Sequence, residues 1–177
     1  ITEASLSEKA SLIGRTGMML LSCGTGAWRV RSSMNTLSEA LGITCSADIG
    51  LMSISYTCFD GESSFSHALS LTTTGVNTSR LNRLEHFVSD FPAEGIHMSG
   101  EALHSQLDEI ERIHGLYSPA ALGLASALAC GAFTFLLGGG PLEMILAFAG
   151  AGIGNAIRCK LGKHHFTLFM CIAVSVS

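Results

Sequence analysis

Apolar residues recur at helical spacing through the first forty positions: Leu12, Ile13, Met19 and Leu20, then Val30, Met34, Leu37 and Leu41. The pattern predicts one long helix over residues 3–41, with Gly24 as the place where it can break and Gly42 as its stop. Ser5 and Ser7 are the candidate caps, and Glu8, three residues after Ser5, completes the spacing of a capping box. The period then changes to two. Residues 47–59 alternate around Ile49, Leu51, Ser53, Ile54, Tyr56 and Cys58, and residues 64–74 run through Phe65, His67, Leu69, Leu71 and Thr73. Asp60-Gly61 between them is a turn signal, so a β-hairpin is expected. Helical spacing returns in Asn77–Phe91 (Leu81, Leu84, Phe87, Val88) and in Met98–His114 (Leu103, Leu107, Ile110, Ile113), the latter capped by Ser99. Residues 1–117 therefore predict a small α+β domain of order α-β-β-α-α.

Beyond Ser118 the polar face disappears. Pro119–Leu137 carries no charge and approaches the roughly 20 residues that cross a bilayer core. Gly138-Gly139-Gly140-Pro141 reads as a tight turn, Leu142–Ile157 as a second apolar stretch, and a third opens at Phe166 after Arg158, Lys160 and Lys163. The domains expected are thus 1–117 and 118–177, the second made of transmembrane helices over 119–137 and 142–157 and a truncated third from 166. Gly123, Ala127 and Gly131 lie four apart on the first of these helices, and Gly150 and Gly154 form GxxxG on the second, the small-residue spacing by which helices approach in lipid.

Composition sharpens this division. Charged residues are only 14% of the chain, against about 25% in a soluble domain, and mean hydropathy is +0.43. The shortage is local: seven Lys/Arg and thirteen Asp/Glu precede Ser118, whereas Glu143 is the sole charge from Pro119 to Ile157. Because the chain starts on Ile and ends inside an apolar run, it is expected to be a fragment of a polytopic membrane protein. Lys and Arg collect in short cytoplasmic loops. The 158–165 segment, read as such a loop, places the glycine turn outside and the N-terminal domain in the cytoplasm.

Few residues carry recognisable chemistry. The six cysteines, at 23, 45, 58, 130, 159 and 171, form no CxxC and fit no zinc spacing, so reduced, packed thiols are expected. His164-His165 is a weak metal signal, because adjacent helical side chains do not face one site. No P-loop, no Ser-His-Asp arrangement and no basic stripe for nucleic acid is present, so no cofactor, metal, catalytic residue or nucleic-acid partner is expected. Glu143 has two readings: a carboxylate on a proton or substrate path, or a first-turn acid favoured by the helix dipole. Asn155 offers either a substrate contact or a hydrogen bond between helices. Gly138, Gly139 and Gly140 are either an unwound binding segment or a plain turn.

Four features in order resemble the threonine/serine exporter family of membrane transporters. They are Leu20-Leu21-Ser22-Cys23-Gly24-Thr25-Gly26-Ala27-Trp28-Arg29-Val30; Thr72-Thr73-Thr74 with Arg80 and Leu81 beyond; Leu107-Asp108-Glu109-Ile110 within a helix; and Phe135-Leu136-Leu137-Gly138-Gly139-Gly140 followed by an acid. Gly26 departs from the pattern, standing where the family carries an acid or another polar residue. The resemblance implies a cytoplasmic N-terminal domain and multi-pass insertion in the cell membrane. It also implies proton-driven export of a small polar metabolite such as threonine, serine or a dicarboxylate. The lipid bilayer and the remaining transmembrane half, on the same chain or on a partner subunit, are the partners it implies. Gly24, Ala27, Trp28 and Arg29 are the family-motif candidates of the N-terminal domain. The rival readings are a membrane-anchored regulatory or assembly module and a membrane-tethered hydrolase.

Overall fold

In the computed structural model, Ser5 caps the first helix, α1 (Leu6–Ser22), its hydroxyl accepting from the Glu8 amide at 3.3 Å. The model describes residues 1–72, 74–113 and 117–163; for Pro119 and residues 158–163 it describes the backbone alone. The chain divides into two compact units, Ile1–Gly115 and Leu116–Ser177.

The long N-terminal helix is in fact two. Gly24 adopts φ +78°, a left-handed conformation that side chains resist, and its amide closes on the Leu21 carbonyl. The chain turns there and restarts as α2 (Ala27–Ala40), which ends before Gly42 as expected.

The sheet has three strands rather than the two of the expected hairpin: β1 (Thr44–Ile49), β2 (Ser53–Phe59) and β3 (Ser64–Ser70), antiparallel in the order β1-β2-β3. The stretch read as one strand over 47–59 is broken at Gly50-Leu51-Met52, where the Gly50 amide donates to the Ser53 carbonyl at 2.8 Å. The phase of the alternation records the break. Cys45 faces inward at odd positions of β1, whereas Ile54, Tyr56 and Cys58 face inward at even positions of β2. A strand cannot change the face of its apolar set without a turn or bulge. The order of the first unit is therefore α-α-β-β-β-α-α, completed by α3 (Thr78–Asp90), a 3-10 turn (Gly95–His97) and α4 (Gly100–Glu111). Asn77 and Ser99 cap the last two helices through their side chains.

α1 is the centre of this unit. It packs against α2, the sheet, α3 and α4, and buries Leu12, Ile13, Thr16, Met19, Leu20 and Leu21. A helix enclosed on so many sides needs small residues where neighbours come close. Gly14 lies directly beneath the Tyr56 ring, and a β-carbon at Gly17 would sit 2.8 Å from the Met34 sulfur. The Thr16 hydroxyl satisfies itself on the Leu12 carbonyl at 2.9 Å.

Arg15, on the rim of α1, ties that helix to α4 by pairing with Asp108 and, at 2.9 Å, with Glu111. The hydrogen bond from Arg15 holds the Asp108 carboxyl below its ordinary range. A depressed folded-state pKa contributes stability above the unfolded value and loses it as pH falls through the folded one. Unfolding midpoints of wild type and Asp108→Asn should therefore differ by a constant amount from pH 7 to pH 5. They should converge only below about pH 4, the ordinary Asp range. Convergence already at pH 6 would assign the effect to other groups.

The second unit is a helical hairpin, α5 (Pro119–Leu136) and α6 (Pro141–Lys163). Ser118 caps α5 through the Ala121 amide at 3.2 Å, with Pro119 in the first turn, where its missing N–H costs nothing. The basic cluster, expected in a loop from residue 158, instead continues the backbone of α6 to Lys163. His164-His165 and the third apolar run from Phe166 lie outside the described residues. Among the described residues, no helix is long and apolar enough to cross a membrane.

Candidate functional site

The hairpin is built on small residues. Ala127 is 2% exposed, and its β-carbon would lie 3.6 Å from one added at Gly152. Gly131 faces the Met144 carbonyl and the Phe148 β-carbon, at 3.6 and 3.7 Å from an added β-carbon. At the opposite end of the seam Gly123 faces Asn155. The expected face of α5, Gly123-Ala127-Gly131, thus meets α6. On α6 Gly152 meets Ala127, while Gly150 of the expected GxxxG has nothing within 4 Å. Large apolar side chains point the other way: Leu124, Leu128, Phe133, Phe135, Ile145 and Leu146 are all more than half exposed. A shallow groove of about 380 Å³, lined by Leu128, Gly131, Ala132, Met144, Ile145 and Phe148, is apolar throughout.

Asn155 is the polar group in this seam. Its side-chain nitrogen is buried and has no hydrogen-bond partner among the described residues. Leaving a buried donor unpaired costs about 1–3 kcal/mol, and among the described residues no acceptor offsets that cost at Asn155.

Glu143 stands at the other end. It lies in the first turn of α6, exposed, with its carboxylate turned back toward Gly140: a β-carbon there would lie 2.7 Å from Oε2. The glycine turn itself is a Schellman cap of α5. The Gly138 amide donates to the Phe135 carbonyl at 3.0 Å and the Gly139 amide to the Thr134 carbonyl at 2.9 Å, with Gly138 at φ +87°. Both amides are committed to α5, which leaves Gly140 and the carboxylate of Glu143 as the groups presented at this end. Glu143 and Asn155 are twelve residues apart on α6, about 18 Å along its axis at 1.5 Å per residue, so they do not form one site within the hairpin.

In the first unit the family-motif candidates gather at the start of α2. Trp28 is 72% exposed, and the Arg29 guanidinium sits 5.4 Å from its ring centroid while pairing with Glu85 of α3 at 2.8 Å. Gly26, in place of a longer polar residue, leaves its cap without a side-chain hydrogen bond and lies against the Trp28 ring. Gly24 and Ala27 are exposed at the same corner. Trp28 is a surface residue here, not a core one. The pair Arg29–Glu85 is exposed and worth at most about 1 kcal/mol.

Arg80 is a residue that periodicity did not single out as a site. It reaches from α3 to the end of α4, donating to the carbonyls of Glu111 and Ile113, the latter at 3.1 Å, and its Nε is buried without a partner among the described residues. Asn77 supports the same turn, donating to the Ile113 carbonyl at 3.0 Å. Cys23 lies beside this arginine, where burial pushes its thiol up. The signal was present in the sequence as the Thr72–Leu81 segment, but a basic residue early in a helix ordinarily reads as solvated.

The open groove between α3 and α4, about 420 Å³, is lined by Arg83, His86, Asp90, Gln106 and Glu109 over Phe87, with no serine or cysteine on its wall among the described residues. Among the described residues no cluster of His, Cys, Asp and Glu has the arrangement to hold a metal.

Comparison with known proteins agrees with the residue pattern. A family model described as "Putative threonine/serine exporter" matches residues 11–177. No curated protein and no solved structure matches the chain.

Proposed function

This chain belongs to the threonine/serine exporter family, and from that premise we propose that it is part of a proton-coupled secondary transporter that exports small polar metabolites. Membership in an exporter family implies a membrane location, a lipid partner and a small polar substrate; the family is one of transporters, not enzymes.

The observation that carries the membrane reading is the inverted hairpin. Its small residues face inward and its large apolar residues outward, an arrangement unfavourable in water and ordinary in lipid. We place α5 and α6 in the bilayer. α5, 18 residues long, reaches about 27 Å at 1.5 Å per residue. That is near the thickness of a hydrocarbon core, and local thinning of the bilayer takes up the remainder. The basic residues that end α6 then anchor it at the cytoplasmic surface, with the first unit on the same side.

Asn155, with its unpaired buried nitrogen, is proposed as a substrate contact or a tie to the remaining helices, supplied by this chain or by a partner subunit. Glu143 is proposed as the proton-bearing carboxylate beside the Gly138–Gly140 turn. Threonine and serine are the first substrates to test, and a dicarboxylate such as succinate the next. The alternative, a membrane-anchored regulatory or assembly module, rests on the exposed Trp28–Arg29 corner, a surface suited to a partner. A membrane-tethered hydrolase of the serine or cysteine type finds neither residue among the described residues that line the α3–α4 groove.

The test is efflux from cells loaded with a threonine- or serine-containing dipeptide and carrying the full-length gene. Wild type should accelerate efflux, and a protonophore should abolish the gain. Glu143→Gln should remove at least about 90% of it, since loss of one coupling interaction of 1.4 kcal/mol is already tenfold. Efflux that survives the substitution returns Glu143 to a capping role. Absence of efflux for both amino acids and for succinate removes the exporter reading. Unchanged efflux and assembly after deletion of residues 1–115 removes the regulatory one.

A further inference from the structure

Cys45 and Cys58 face each other directly across β1 and β2. The Gly50–Ser53 hydrogen bond sets the ladder. Hydrogen-bonded and non-hydrogen-bonded pairs alternate along antiparallel strands. Counting from Gly50:Ser53, the pairs Asp48:Ser55 and Ser46:Thr57 are hydrogen-bonded, and Cys45:Cys58 is not. Residues in such a non-hydrogen-bonded pair have Cα atoms about 4.5 Å apart, inside the range a disulfide spans. Both side chains point into the core, Cys45 9% and Cys58 0% exposed, and both are free thiols. Strand β1 is an edge, paired with β2 alone.

We propose that Cys45 and Cys58 are a redox modification site, closing to a disulfide by exchange with a small oxidised thiol compound such as glutathione disulfide. This inference is independent of the transport reading. The interaction between the two facing thiols lowers the Cys45 thiol and raises that of Cys58. Cys45, the more exposed and on the edge strand, is accordingly the attacking group. Its thiolate attacks one sulfur of the oxidant, the oxidant's S–S bond breaks, and one reduced glutathione leaves. Cys58, losing its proton, attacks the Cys45 sulfur of the mixed disulfide and expels a second glutathione. Two electrons pass to the oxidant, two thiol protons are lost from the protein, and β1 becomes covalently tied to β2. Cys23 lies at the end of α1 beside Arg80 and Ser22, with no facing cysteine among the described residues.

The test uses the full chain, equilibrated in a series of reduced and oxidised glutathione mixtures, acid-quenched, alkylated under denaturing conditions and cut with trypsin and an Asp-specific protease. Cleavage after Arg31 and before Asp48 and Asp60 puts the two cysteines on separate peptides, 32–47 and 48–59. The expected result is that these peptides become linked in monomeric protein, at a mass two hydrogens below their sum. The link should take the larger share of Cys45 at the oxidising end and vanish with reductant. In Cys58→Ser, Cys45 should stop at the glutathione adduct. Full alkylation of both cysteines in the most oxidising mixture would overturn the proposal, as would a wild-type adduct that never resolves, or links from Cys45 to other cysteines. Because the mapping is read on wild type, a Cys58→Ser chain that fails to fold leaves it decisive.

Discussion

Phe91→Ala should cost the first unit about 3–5 kcal/mol, the range for deleting a fully buried aromatic ring. Phe91 heads the fully buried side chains by volume, at 1% exposed. It closes α3, packs tilted against Phe87 with ring centroids 5.9 Å apart, and lies against Gly95, whose missing β-carbon makes room for it. The neighbours cannot collapse easily into the space, because the 3-10 turn is held by amides bonded back to Phe91 and Glu94. Against a typical domain stability of about 5–15 kcal/mol, such a loss removes a large part of the total. The check is urea unfolding of the whole chain in mild detergent, followed by far-ultraviolet circular dichroism. The midpoint should fall with its slope unchanged. A cost under 1 kcal/mol would mean that the α3–α4 corner repacks freely.

The second large effect distinguishes two glycines two residues apart on α6. Gly152→Leu drives a branched side chain into Ala127, whose β-carbon already stands 3.6 Å from the position a new one would take. Overpacking of this kind costs about 1–3 kcal/mol. In the proposed transporter it should also abolish export, because the seam that positions Asn155 is pushed apart. Gly150→Leu adds the same apolar bulk where nothing lies within 4 Å in the hairpin, so the hairpin should keep its thermal stability. Equal added hydrophobicity makes the pair its own control for membrane insertion. Thermal unfolding of the two variants in detergent is the first measurement, and efflux the second. If Gly150→Leu proves the more damaging for thermal stability, the seam runs along the expected GxxxG and not through Gly152.

Elements whose cause is local are legible in the chain alone. Ser5 and Ser99 mark helix starts because a side-chain oxygen must satisfy a free amide two or three residues on. Gly24, Gly42 and Gly138 mark ends because the chain must turn left-handed there. The composition break at Ser118 set the apolar pair apart from the mixed domain, and the ordered motifs named the family that the match over residues 11–177 then gave. The third strand was also legible, in the change of inward parity between Cys45 and Ile54, although unbroken alternation masked it.

Packing alone distinguishes Gly152, which meets Ala127, from Gly150, which has nothing within 4 Å, because the two are the same residue type and differ only in angle around the helix axis. It decided that Trp28 is exposed and Arg80 half-buried against the end of α4, since both depend on what neighbouring helices cover. It also brought Cys45 to Cys58. Their separation in sequence says nothing about pairing, whereas the register of two strands, counted from one turn, sets them directly opposite each other. Local signals fix where an element begins and ends; the identity of its neighbours is a long-range outcome of packing, and the candidate sites of this chain lie there.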